Sequence, residues 1–383
     1  MAIRKIKAKK KKVAKNATIM VFNPQEEDQF IHTSSLGFDV LLSETAEGME
    51  LGSMIEIAGD SGTGKSTSTF AMACNMARSS GVKVVYLDSE GGIKKSHVRL
   101  NKAFELFHPD IADLQDKYGE KIDEFLNHAL DGDYNLVVLN ANSFDGLDKI
   151  TEALYKWTEN HDEAVVFVID SLAFISTTSE LKDAQSDKAW VSQKAKAFRA
   201  WATLNKINLQ AHGITTILIN HLTMTNIGVY GKKPKKESAN GTAALYTPDA
   251  RILILEGEKI LDDNEDIIGH NAKVYTKKNR NNISHRQVII PMMKGTGPDN
   301  ARFIENVLID RNLIKPAAWT TFDFPFLEEP IKVNGKSARL EFIRDHESEF
   351  TDYLRQEDLL SLLNLGEKVK DVSSDDELDS DDE

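Results

Sequence analysis

Eight residues constrain most of what this chain can fold into. The stretch "GDSGTGKS", residues 59–66, fits the pattern G-x-x-x-x-G-K-[ST] in full. The short apolar run "MIEIA" precedes it, and the apolar-periodic "KSTSTFAMACNMA" follows from its lysine. A strand that turns through glycines straight into a helix leaves free backbone N–H groups at the helix start, where the peptide dipoles also favour negative charge. With glycine near 7% of residues, a chance match in a chain this long is on the order of 1%, and the flanking strand and helix lower that further. The turn is therefore read as a phosphate cradle formed by Gly59, Asp60, Ser61, Gly62, Thr63 and Gly64, continued by Lys65, Ser66 and Thr67. In such a cradle Lys65 reaches the terminal phosphates of ATP and Ser66 ligates Mg²⁺.

Around this motif, runs rich in valine and isoleucine alternate with helical patterns. Strands are expected at 54–58, 83–88, 135–139, 164–170, 214–220, 251–255, 272–277 and 287–291, and helices at 65–79, 145–158 and 190–211. Near-continuously apolar strands alternating with helices imply an α/β fold, its mostly parallel sheet covered on both faces. After residue 293 the segments become shorter and more polar, "DNARFIENVLIDRNLI" and "KSARLEFIRDHESEFTDYL", which reads as a small α+β domain over 294–370. A chain of 383 residues, 41% hydrophobic and 28% charged, is long enough for that division. No apolar run approaches the roughly 20 residues that span a bilayer, and no signal-peptide core follows the basic start. A cytoplasmic protein without a membrane partner is expected. The single cysteine, Cys74, lies on the apolar side of the helix at 65–79, so it is expected as a small buried hydrophobe and no internal disulfide is possible.

The formal net charge of −13 argues against a protein that coats nucleic acid with its whole surface. Charge is also segregated. "RKIKAKKKKVAK" carries eight basic residues before Asn16 and "DVSSDDELDSDDE" eight acidic ones after Lys370, so the two ends cancel. Blocks of this kind read as solvated arms. The boundaries that follow are a basic N-terminal segment at 1–30, a core at 31–293, the small domain at 294–370 and an acidic tail at 371–383.

Carboxylates at strand ends carry the next inference. In "AVVFVIDS", Asp170 closes the most apolar strand, where a phosphate-loop site needs a carboxylate beside its metal. Many P-loop ATPases place a water-activating glutamate immediately afterwards; here that position is Ser171, so the base must come from elsewhere. "VVYLDSEGG" offers Glu90 just past another central strand, with Asp88 as the competing choice. Ligands of open α/β sheets sit at the carboxyl ends of strands, so either can face the terminal phosphate and polarise a water. One further feature stands out. Two apolar runs, 214–220 and 251–255, are separated by a polar, lysine-bearing connection over 222–248. Compact domains rarely carry more than about 12 to 15 residues without structure of their own unless the segment is functional or disordered.

Taken in order, "TSSLGFDVLL", the phosphate loop, "DSE", "GGIKKSHVRL", "VFVIDSLAFIS", "LINH" and "IGVYG" resemble the RecA family of DNA strand-exchange proteins, with "YLDSEGGI" and "INH" most similar to its bacteriophage UvsX-type branch. "GTG", "AAWTTF" and "NGKSARLEFIRDH" extend the resemblance into the small domain. It implies a RecA-type P-loop ATPase core and several residue roles. Glu90 matches the catalytic glutamate. His221 stands where the family senses the γ-phosphate. Lys278 and Arg280 in "KKNR" match paired cations that reach a neighbour's ATP across a filament interface, and His97 takes the place of an adenine-stacking tyrosine. Two segments match the DNA-binding loops. The first, 178–188, brings Lys182 and Lys188. In the second, Ile227 or Tyr230 can wedge or stack between bases and Lys232, Lys233, Lys235 and Lys236 can neutralise phosphates, while Gly241 and Thr242 open a short helix with free N–H groups. "TIMVF" sits where the family adds a strand to the adjacent protomer, which implies a head-to-tail filament. The acidic tail resembles one that competes with DNA for basic surface.

The function so implied is ATP-dependent homologous pairing and strand exchange between single-stranded DNA and homologous duplex, with single-strand-binding and loader proteins as further partners and the host cytoplasm as its place if phage-encoded. Three rivals share parts of the pattern. A hexameric helicase usually has a large helical N-terminal domain, whereas about thirty residues precede the core here. A small-molecule P-loop kinase needs an acceptor pocket and lid. A non-catalytic filament has no use for Glu90 and Asp170.

Overall fold

β-Branched side chains pack well on a pleated surface covered from both sides, and the valine- and isoleucine-rich runs form the central strands accordingly. The structure, a computed structural model, describes residues 29–177, 180, 187–225, 235–239, 241–282 and 284–357. Its strands are β1 (Phe30–Ile31), β2 (Met49–Glu50), β3 (Met54–Gly59), β4 (Val82–Asp88), β5 (Leu136–Leu139), β6 (Ala164–Asp170), β7 (Ile214–Thr225), β8 (Lys235–Ser238), β9 (Ala250–Leu255), β10 (Lys259–Leu261), β11 (Ile267–Asn279), β12 (Gln287–Met293), β13 (Gly297–Pro298), β14 (Trp319–Phe322) and β15 (Ile331–Asn334). The α-helices are α1 (Leu36–Leu42), α2 (Lys65–Ala77), α3 (Lys95–Leu100), α4 (Ile111–Tyr118), α5 (Ile122–Ala129), α6 (Phe144–Asn160), α7 (Asp187–Ala211), α8 (Gly241–Tyr246), α9 (Asn300–Asp310), α10 (Gly335–Asp345) and α11 (Glu347–Gln356).

The main sheet runs β13-β12-β11-β9-β3-β7-β6-β4-β5, with β10 on β11 and β8 on β7. From β9 to β5 every pairing on this path is parallel, as expected, whereas β11, β12 and β13 extend the sheet antiparallel. Successive side chains of a strand face opposite ways, and β6 shows the consequence. Val165, Phe167 and Ile169 join one apolar cluster with Leu147, Trp157 and Phe198 of α6 and α7. Val166 and Val168 join the other with Phe70 and Met72 of α2. Cys74 is wholly buried in that second cluster, and burial pushes its thiol up to about 12.

The C-terminal region has the expected α+β composition: α9, the β14–β15 hairpin, α10 and α11. Phe322, Phe350 and Ile304 share one apolar cluster with Phe38 and Ile290, so this region packs continuously against one face of the sheet. Two stretches differ from expectation. The connection between β4 and β5 holds α3, α4 and α5, short helices for which the sequence pattern had named none. The segment 222–248 is not a bare loop. β7 continues five residues past its expected end, β8 pairs back on it from Leu222↔Ser238 to Thr225↔Lys235, and α8 follows. Polar and β-branched residues such as Thr223 and Thr225 satisfy a two-stranded ladder without an apolar run, which is why hydropathy alone stopped the strand early. Among the described residues no helix is long and apolar enough to cross a membrane.

Candidate active site

Strand register brings the site together. Gly59 pairs with His221, Ile169 with Leu218 and Asp88 with Asp170, so the carboxyl ends of β3, β7, β6 and β4 lie side by side, at roughly 4.8 Å per strand. After β3 the chain turns through Gly62 and Gly64, both in the left-handed region at φ 85° and 83°, which favours glycine. A Cβ on Gly62 would meet nothing within 4 Å, and one on Gly64 only Ser68 Oγ at 3.7 Å and His270 Cε1 at 3.8 Å. The backbone is therefore open over the turn. Lys65 is buried and its Nζ donates to the Asp60 carbonyl at 2.6 Å. Burial lowers its pKa, opposed by the charges of Asp170, Glu90 and Asp60.

Asp170 is nearly inaccessible. It accepts from Ser66 Oγ at 3.0 Å on one oxygen and from Tyr86 OH at 2.6 Å on the other. Burial pushes its carboxyl up to about 6; the two hydrogen bonds pull it down, and Glu90 and Asp88 push it further up. Burial also raises Tyr86 well above the usual phenol range, so its hydroxyl remains a donor.

The two competing carboxylates are placed differently. Asp88 is buried and accepts from the N–H groups of Gly92 and Ile93 at 3.1 and 2.9 Å, building the turn after β4. Glu90 is partly exposed, and one of its oxygens accepts from Ser171 Oγ at 2.6 Å and lies 3.0 Å from His221 Nε2. Ser171, in the position where many P-loop ATPases carry the glutamate, thus holds the glutamate of the neighbouring strand. His97 lies on α3 with its ring 6.4 Å from that of Phe70 on α2, and its Nδ1 accepts from the Lys94 N–H.

Lys278 and Arg280 are far from this row. β11 runs antiparallel to β9 with Asn279 opposite Ala250, and Ala250 is level with Ile55, whereas Ile254 is level with Gly59. Four residue steps, about 13 Å along the strands, separate the two levels. Lys278 Nζ donates to the carbonyls of Tyr246 and Pro248 at 2.7 and 2.6 Å, and Arg280 donates to Asp249 at 2.9 Å beside Lys206 at 2.7 Å. Burial and the charges of Arg280 and Lys206 lower Lys278 to about 8.

Of the candidate DNA contacts, Lys182, Ile227, Tyr230, Lys232 and Lys233 lie outside the described residues. Lys188, Lys235 and Thr242 are described only as backbone in α7, β8 and α8. Gly241 does open α8, at φ 70°, and a Cβ there would meet Ala195 at 3.3 Å. Lys236 is placed elsewhere than on a free loop: its Nζ lies 2.8 Å from Asp60 Oδ2 on the phosphate loop.

One network escaped the sequence reading. Glu56, 1% exposed in the middle of β3, accepts from Arg251 Nε at 2.6 Å and from Asn220 Nδ2 at 2.9 Å. Asn220 also donates to the Ala239 carbonyl and accepts from the His221 N–H, and Arg251 reaches Ser238 Oγ. Four strands are thereby tied beneath His221. A glutamate inside "MIEIA" and an arginine opening "RILIL" were the available signals, since charges inside apolar strands demand partners. Arg251→Ala leaves Glu56 buried without its cation, with only Asn220 still donating to it, so unfolding free energy is expected to fall by about 3–5 kcal/mol, measured by chemical denaturation. A loss below about 1 kcal/mol would make the pair no more than a surface contact.

The residues fit a magnesium nucleotide. The open glycine backbone, the buried ammonium of Lys65 and the paired hard oxygens of Ser66 and Asp170 match a polyphosphate with its cation. Nε2 of His270, whose ring lies beside Gly64, is buried without a partner among the described residues. Among those residues no cluster of three or more His, Cys, Asp or Glu is arranged to hold a metal, and Mg²⁺ carried by phosphates needs only one or two protein ligands. Held by Ser66 and Asp170, Mg²⁺ would supply charge neutralisation at the phosphates.

The comparisons with known proteins agree with this geometry. The profile of the family described as AAA domain matches residues 43–226. Protein RecA of Mycoplasma mycoides subsp. mycoides SC is 24% identical over 348 residues, covering 88% of this chain and 86% of that protein. Protein RecA of Gluconobacter oxydans is 24% identical over 326 residues, covering 84% and 81%. DNA repair and recombination protein RadB of Methanobrevibacter smithii is 29% identical over 164 residues, covering 43% and 58%. The chain is thus similar to RecA and RadB proteins, and the segment that matches the AAA domain contains the phosphate loop, Glu90 and Asp170.

Proposed function

We propose that this ATPase domain drives DNA recombination: the protein assembles head to tail on single-stranded DNA, pairs it with homologous duplex and exchanges strands. The observation that carries the reading is the continuity of β7, which passes from the nucleotide row at His221 directly into the β7–β8 hairpin and the segment resembling a DNA-binding loop. The RecA proteins named above, which match along most of the chain, and the DNA repair and recombination protein RadB, which matches 43% of it, support this reading. On "YLDSEGGI" and "INH" we place it in the bacteriophage UvsX-type branch, acting in the cytoplasm of the bacterial host.

In this scheme Lys65 and residues 59–64 hold the phosphates, Ser66 and Asp170 hold Mg²⁺, and Glu90 orients and deprotonates the attacking water. His221, hydrogen-bonded to Glu90, relays the state of the site along β7. Lys278 and Arg280 stand about 13 Å or more down the strands from their own phosphate loop and serve the next protomer's site, where a head-to-tail contact brings the two ends of the sheet together. His97 faces the base. Base pairing reads the sequence, so the protein contacts backbone.

The decisive experiment combines the protein with single-stranded DNA, homologous duplex and ATP, and follows hydrolysis and joint-molecule formation together. Hydrolysis with unwinding and no homologous pairing would transfer the reading to a helicase. Replacing Lys232, Lys233 and Lys235 together by glutamine is expected to reduce the slope of log affinity for single-stranded DNA against log salt by about two, near 0.7 for each phosphate contact. Nucleotide binding should be unaltered, and an unchanged slope would remove these lysines from the DNA interface.

A further inference from the structure

Lys236 stands on β8 opposite Met224 and reaches back to the phosphate loop, with its Nζ 2.8 Å from Asp60 Oδ2. The pair is not what holds either partner in place. β8 is fixed by its ladder with β7 and by Ser238 on Arg251, and the turn at Asp60 is closed by Thr63 Oγ1 and Lys65 Nζ on its carbonyl. With side chains 50% and 43% exposed, the ion pair adds little to stability.

Its position has a chemical meaning. Lys65 is the group that serves terminal phosphates in such loops, and its ammonium lies 2.6 Å from the Asp60 carbonyl. Asp60 therefore borders the terminal-phosphate end of the cradle. There its carboxylate opposes an incoming polyphosphate, as one of three carboxylates, with Glu90 and Asp170, whose charges act on Lys65. A lysine is a point charge on a four-carbon stem, so with its backbone pinned it can exchange one anion for another nearby.

We infer that Lys236 is a triphosphate-selective ligand of its own protomer's nucleotide site, held on Asp60 until a terminal phosphate competes for it. The inference rests on residues 59–66 being an ATP site and does not require the recombination reading. It gives the hairpin two groups at the site, His221 through Glu90 and Lys236 through Asp60. Because a diphosphate lacks the competing group, Lys236 stays on Asp60 when ADP is bound.

The test is equilibrium binding of fluorescent N-methylanthraniloyl ATP and ADP with Mg²⁺ and without DNA. Lys236→Gln is expected to weaken the ATP analogue about tenfold, the scale of a charge-assisted hydrogen bond, and to leave the ADP analogue unchanged. Lys236→Arg should retain the preference. Asp60→Asn, which removes the competing anion, should move the ATP-to-ADP ratio the opposite way from Lys236→Gln. An ion pair that merely shapes the loop would shift both nucleotides together and in the same direction for both variants, and that result overturns the inference. Wild-type protein that binds neither analogue, like Lys65→Ala, would overturn the ATP site itself, which is a distinct outcome.

Discussion

Glu90→Gln is expected to lower ATP turnover by about 10²- to 10⁴-fold, the range for removing a positioned general base, while ATP affinity stays near that of the wild type. The amide keeps an oxygen that can accept from Ser171 Oγ at the observed 2.6 Å, so the side chain stays in place and only its basicity is lost. Single-turnover hydrolysis and equilibrium nucleotide binding, measured side by side, separate the two effects. Asp88→Asn is the informative control. Asp88 is buried against the N–H groups of Gly92 and Ile93, so its replacement should disturb the turn that carries Glu90 and lower thermal stability as well. If Glu90→Gln turned over within about tenfold of the wild type, the general-base role would belong to another residue.

Replacing Lys278 and Arg280 together by alanine should reduce DNA-stimulated hydrolysis on the order of 10³-fold, the lower end of what an arginine finger supplies in phosphoryl transfer. ATP binding by isolated protomers should survive, because both cations lie at the opposite end of the strands from the phosphate loop of their own chain. Within the protomer Arg280 shares Asp249 with Lys206, and Lys278 binds the carbonyls of Tyr246 and Pro248 at the end of α8. Asp249 therefore keeps Lys206 as a partner when Arg280 is removed, and the fold should tolerate the change. Mixing this variant with a Glu90→Gln variant gives a sharper measurement. Each supplies what the other lacks, so mixed assemblies should recover part of the turnover, whereas sites completed within one protomer would show no recovery.

Particular residues show where sequence was sufficient. The phosphate loop could be named outright because its function depends on backbone amides and a few small residues in contiguous sequence, and its flanking strand and helix are equally local. Asp170 was legible for a related reason: it ends the most apolar run, and a carboxylate at that point needs a cation or a donor. Strand ends alone left Asp88 and Glu90 both open, and the choice of Glu90 came from the family resemblance. Two carboxylates two residues apart differ only in what their side chains meet, and those partners, Gly92, Ile93, Ser171 and His221, come from three different parts of the chain. Lys236 shows the same limit. In sequence it belongs with its neighbouring lysines, yet antiparallel pairing of β8 with β7 turns it toward Asp60.

Sequence by itself therefore determined the α/β class, the glycine-rich turn between β3 and α2 and the aspartate that ends β6, because each is encoded in local periodicity or a contiguous pattern. Tertiary structure alone decided that Glu56, Asn220 and Arg251 form one buried network, that Tyr86 and Ser171 orient the site's two carboxylates, and that Lys278 and Arg280 sit at the far end of the sheet. Those facts depend on strand register. Register is fixed by the packing of both sheet faces at once, and no single segment contains that information.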